Sequence, residues 1–115
     1  MKKMKYFCTE NERKASHSSC YLEFQRGEYS GKHWLADSIS LHDDVFQEFH
    51  LYSLFRKVIP EFDHYGITQV SQTEWKKLYQ LAMEQGGEVQ RIMVELDTLV
   101  SNWFQIEDVF TICGI

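Results

Sequence analysis

Between Val89 and Ile106 the apolar residues Val89, Ile92, Leu96, Leu99, Trp103 and Ile106 fall at spacings of 3, 4, 3, 4 and 3. That pattern draws one narrow apolar stripe down an α-helix of about five turns, flanked by Met93 and Val100, with Asp97 on its solvated face. Such a helix must lay its stripe against something. A coiled-coil seam in a homodimer is one solution, but the stripe spans fewer than three heptads, so packing on the chain's own sheet is the expected one and a monomer the expected state.

The remaining segments supply that sheet. Residues 4–9 and 20–25 read as strands; in the second, Cys20, Leu22 and Phe24 alternate with Tyr21, Glu23 and Gln25. Asn11–Ser19 is polar and reads as a mobile loop, and a third strand is expected within residues 29–39. A first helix is expected from Ser40, as its cap, to about Val58, where Pro60 forces Ile59 out of helical backbone. Ser71-Gln72-Thr73-Glu74 fits a capping box that opens a second helix, with Trp75, Leu78, Tyr79 and Ala82 on one face and Gly86-Gly87 at its end. Val109–Cys113 closes the chain as a strand. The order predicts one α+β domain over residues 1–115, a small antiparallel or mixed sheet covered on one face by about three helices.

Composition restricts what such a domain can do. Residues 1–14 hold five basic and two acidic groups, a net of +3, so the remaining 101 residues carry −8 of the formal −5. A body that negative repels phosphates and attracts basic proteins, so no nucleic-acid partner is expected. Lys2, Lys3 and Lys5 resemble the start of a signal peptide, but no apolar run follows Tyr6-Phe7-Cys8, and no run approaches the roughly 20 residues of a membrane span. A cytoplasmic location without membrane attachment is therefore expected. Cys8, Cys20 and Cys113 are an odd number without C-x-x-C spacing, which reads as small buried residues rather than a disulfide framework or zinc site.

Aromatic residues make up 15% of the chain, and they concentrate between Trp34 and Trp75 among acidic groups. Rigid aromatic contact area beside a negative field is what a protein-binding surface needs. On a single helix through residues 41–58, Asp44 and Glu48 would fall inside an apolar arc with Tyr52 and Phe55 beside them, while Asp43 and His50 would lie on the polar side. The following loop, Phe62-Asp63-His64-Tyr65-Gly66, extends the same chemistry. The expected partner-binding residues are Asp44, Glu48, Tyr52, Phe55, Asp63 and Tyr65. His42 with Asp43 and Asp44, His50 near Glu48, and the Asp63-His64 pair lack the spacing of a metal or catalytic site. No phosphate-binding glycine loop is present, so no catalytic, metal or cofactor residues are expected.

Trp34-Leu35-Ala36-Asp37-Ser38-Ile39, the acidic Asp43-Asp44-Val45-Phe46, and Phe62-Asp63-His64-Tyr65-Gly66-Ile67-Thr68 leading into Trp75 together resemble the small immunity proteins of bacterial polymorphic-toxin and contact-dependent growth-inhibition systems. The resemblance covers the middle third of the chain. It implies a non-enzymatic cytoplasmic inhibitor that binds the C-terminal domain of its cognate toxin, many of which are nucleases with basic clefts. A dimeric secretion chaperone or adaptor is the alternative, and a small hydrolase or nuclease using His42, His50 or His64 is the third.

Overall fold

A computed structural model describes residues 3–115. The chain runs β1 (Phe7–Thr9), α1 (Glu10–Ala15), β2 (Tyr21–Arg26), β3 (Ile39–His42), α2 (Asp43–Glu48), α3 (Leu51–Val58), β4 (Ile67–Ser71), α4 (Gln72–Gln85), α5 (Gly87–Trp103) and β5 (Val109–Cys113). The strands form one antiparallel sheet in the order β1-β3-β2-β5-β4, and the α+β class expected from the sequence is the class observed.

Because side chains alternate across a pleated strand, each strand divides its residues between two faces. Leu22, Phe24, Ile39, Leu41, Val70, Phe110 and Ile112 turn inward and are buried under α2–α5. Trp75 and Trp103 meet the ring of Phe110 from α4 and α5, and the Trp75 indole N–H donates to Asp97 Oδ1 at 2.8 Å, tying the two helices together. Val89, Ile92, Leu96 and Trp103 of the apolar stripe are buried, as are Met93 and Val100. The stripe is thus spent inside the chain. Ile106 lies beyond the last turn and is 69% exposed.

The opposite face is polar and also covered. Register aligns Cys8, Ser40, Glu23, Cys113 and Ile67 in one row across all five strands. Over this row lies the segment 27–38, whose Trp34 and Leu35 N–H groups donate to the Glu23 carboxylate, each at 2.8 Å. Gln25 donates to Lys32 O and Thr111 to Gly27 O, pinning the same segment. Arg13 of α1, buried in a two-point pair with Glu10, holds its guanidinium 3.8 Å from the Trp34 ring centre.

Five local expectations are corrected. Residues 10–15 form α1, because Thr9 and Glu12 close a capping box of the same kind as Ser71 and Glu74. Ser40 is no cap but an interior residue of β3; His42 caps α2, its Nδ1 accepting the Asp44 N–H at 3.0 Å. The single helix expected to Val58 is two, broken at Phe49–His50, where His50 takes a left-handed φ of 56°. Residues nine apart on one straight helix lie on opposite sides, yet the Phe46 and Phe55 rings meet at 5.7 Å, a contact that requires the break. The third strand expected within residues 29–39 lies instead at Ile39–His42; and of the cysteines expected to be buried, Cys20 is exposed, Cys8 half-buried and only Cys113 buried. Residues 67–71, for which no element was expected, form the edge strand β4.

Among the described residues no helix is long and apolar enough to cross a membrane.

Candidate functional site

The break between α2 and α3 folds the chain back, so that Phe46, Phe55 and Phe62 pack ring to ring beneath the 62–66 loop. His64 sits on this aromatic floor with its side chain 12% exposed. Its Nε2 lies 2.6 Å from Asp43 Oδ1, its edge meets Phe46, and Tyr65 stacks on it at 5.0 Å and 13°. Tyr52 closes a third side at 5.9 Å. Tyr65 itself is 76% exposed, a rigidly backed aromatic standing in solvent.

Hydrogen bonds fix the loop that presents it. Asp63 Oδ1 accepts the Tyr65 N–H, and Thr68 Oγ1 accepts the Asp63 N–H. The chain after β5 completes the frame: Gly114 N donates to Gly66 O and Ile115 N to His64 O, each at 2.8 Å. A Cβ at Gly114 would overlap the His64 carbonyl, so this close approach requires glycine. At Gly66 an added Cβ would meet the Asp63 carboxylate, and the backbone there is not left-handed.

Of the residues expected to bind a partner, Tyr52, Asp63 and Tyr65 line one cleft of about 440 Å³ together with Arg56, Glu61, Phe62 and His64. Asp44 and Glu48 are exposed on α2, one turn apart and on the same side of that helix. They owe their exposure to the helix break, which removes the apolar arc that a continuous helix would have drawn around them. Phe55 is corrected: at 1% exposure, packed against Phe46 and Phe62, it is core and cannot touch a partner.

Three residues of this surface were not foreseen. Asp43, assigned to the solvated side, is the carboxylate that holds His64. His64 stands among the histidine candidates of the sequence in an Asp63-His64 pair, not as part of a partner surface, and its carboxylate is Asp43 rather than Asp63. Arg56 brings a cation into the acidic surface, donating to Tyr52 OH at 3.1 Å and to Phe62 O at 3.0 Å; its position four residues after Tyr52 was the available signal. Asp97, read as freely solvated, is instead the acceptor for Trp75.

The histidines do not converge. His42 caps α2, His50 occupies the exposed break, and His64 is paired with Asp43. Among the described residues the hydrogen-bond partner of the His64 ring is Asp43 Oδ1, and its other neighbours are the packed rings of Phe46, Tyr52 and Tyr65. A larger hollow of about 650 Å³ lies between Lys3–Tyr6 and α5, but the carboxylate in it, Glu95, is engaged by the N–H groups of Lys5, Tyr6 and Phe7. The Tyr65 face thus brings an exposed aromatic, a carboxylate-paired histidine and two exposed carboxylates into one cleft.

In comparisons with known proteins, no family model matches the chain, and no curated protein and no solved structure is significantly similar to it.

Proposed function

We propose that this chain is a bacterial immunity protein that binds and neutralises the C-terminal domain of a cognate toxin, with Asp44, Glu48, Tyr52, Asp63 and Tyr65 at the contact and His64 behind them. The observation that carries the reading is Tyr65, exposed yet stacked on a buried, hydrogen-bonded His64. An aromatic already fixed in place loses little conformational freedom on binding, the property of an interface anchor. Glu61 and Asp63 stand exposed in the same cleft, and Asp44 and Glu48 are exposed on the neighbouring α2; together they would supply a negative field suited to the basic, phosphate-binding cleft of a nuclease. Binding would occur in the cytoplasm, without a cofactor and without catalysis by this chain.

The dimeric chaperone reading draws on the acidic pI, the length and the long amphipathic helix, and most of that helix's apolar stripe is buried in the chain's own core. One observation favours a different reading: the Asp43–His64 pair has the form of an oriented general base, as a small hydrolase or nuclease would use.

Charge reversal separates these readings. Asp44→Lys with Glu48→Lys is expected to abolish protection of cells expressing the toxin domain and to weaken its binding, while Glu84→Lys on exposed α4 leaves both intact. Equal, small effects from both faces would place the interface elsewhere. A hydrolytic turnover lost in His64→Gln would establish the enzyme reading instead.

A further inference from the structure

The polar face of the sheet carries a second constellation. In its central row Glu23 of β2 stands opposite Cys113 of β5, and the covering segment brings His33 above them; one potential ligand atom from each lies within 4.8 Å of the others. We infer that Glu23, His33 and Cys113 form a binding site for a divalent transition metal of the zinc type.

The donor set is the first argument. One sulfur, one imidazole and one carboxylate match the mixed ligands zinc accepts, whereas magnesium or calcium would require oxygen alone. Spacing is the second. Atoms bound to one tetrahedral zinc lie about 3.3 to 3.8 Å apart, given bond lengths of roughly 2.0 to 2.3 Å. The three ligand atoms, all within 4.8 Å of one another, approach that spacing, and His33, exposed on a loop, is the ligand with room to move.

The surroundings are those of an oriented site. Both Glu23 oxygens accept backbone N–H groups, from Trp34 and Leu35, which fix the carboxylate, and Tyr29 OH lies 3.0 Å from His33 Nε2 with its ring edge-on. Ser40, the cross-strand neighbour of Glu23 on the other side, is fully buried, and its Oγ has no hydrogen-bond partner. Three protein ligands leave a fourth position for water, and a buried hydroxyl in want of a partner beside the carboxylate is what such a water would satisfy. On binding, the Cys113 thiol gives its proton to solvent and exchanges its interaction with Glu23 for a bond to the metal; no electron moves.

The test uses full-length protein carrying Cys8→Ser and Cys20→Ser, stripped with a chelator and titrated with Co²⁺ by absorbance and with Zn²⁺ by calorimetry. One equivalent is expected to bind with a thiolate-to-cobalt charge-transfer band. Affinity should fall at least about tenfold in His33→Ala, and the band should vanish in Cys113→Ser. Because His33 is exposed, that variant retains its fold, which circular dichroism verifies, so the test stands even if Cys113→Ser misfolds. Absence of one-equivalent binding, or binding that His33→Ala leaves unchanged, would overturn the site.

Discussion

His64 takes its position from groups that no single stretch of sequence contains. Asp43 comes from 21 residues upstream, Phe46 and Tyr52 from two separate helices, and the backbone beneath it from Gly114 and Ile115. The exposure of Tyr52, Asp63 and Tyr65 was legible, because aromatics beside acids and turn signals point to surface positions, and the structure adds that they share one cleft. Phe55 was misjudged because periodicity locates an apolar face without saying whether other elements will cover it. Cys113 offers a test at this scale, since burial and the neighbouring Glu23 push its thiol from the ordinary 9.0 up to about 12. Between those pH values the unfolded chain has shed the proton and the folded protein has not, so the thiol's contribution to stability is full below pH 9 and drains away as pH rises toward 12. Denaturation of metal-free protein across that range should show a steeper alkaline loss than Cys113→Ala, whose remaining groups titrate alike. Parallel curves would mean that the thiol is not held protonated by the fold.

At the scale of elements, helices with explicit start and stop chemistry were readable. Ser71 and Glu74 opened α4 where expected, and Pro60 ended α3. The same capping chemistry at Thr9 and Glu12 went unread because α1 is only 6 residues long and lacks an apolar stripe. In residues 41–58 the acidic Asp44 and Glu48 inside the expected apolar arc were the sign that one straight helix does not fit, and the structure resolves the conflict with two. The α5 stripe was the most legible feature. Leu96, at 1% exposure, is expected to cost about 2 to 5 kcal/mol when changed to Ala, measured by chemical denaturation. The midpoint should not depend on protein concentration, as it would if the stripe were a dimer seam.

At the scale of the whole molecule, the α+β class followed from the order of strand and helix patterns, but the double covering of the sheet did not. A buried polar row under an irregular segment has no periodic signature, because its covering residues are matched to Glu23, Gln25 and Thr111 by backbone hydrogen bonds rather than by hydrophobic spacing. The result is a body with two differently built surfaces, an acidic aromatic face at α2, α3 and the 62–66 loop, and a donor cluster on the opposite side of the sheet. The recognition role proposed for the first is tested most directly by calorimetric titration of Tyr65→Ala with the toxin domain proposed as its partner. The side chain is exposed and stacks on His64 without a hydrogen bond of its own, so folding stability should be nearly unchanged. Affinity is expected to fall by about thirtyfold or more, the loss of an interface hot spot. Affinity within about twofold of the unaltered protein, where an energetically neutral contact would leave it, would contradict the placement of the interface on this face.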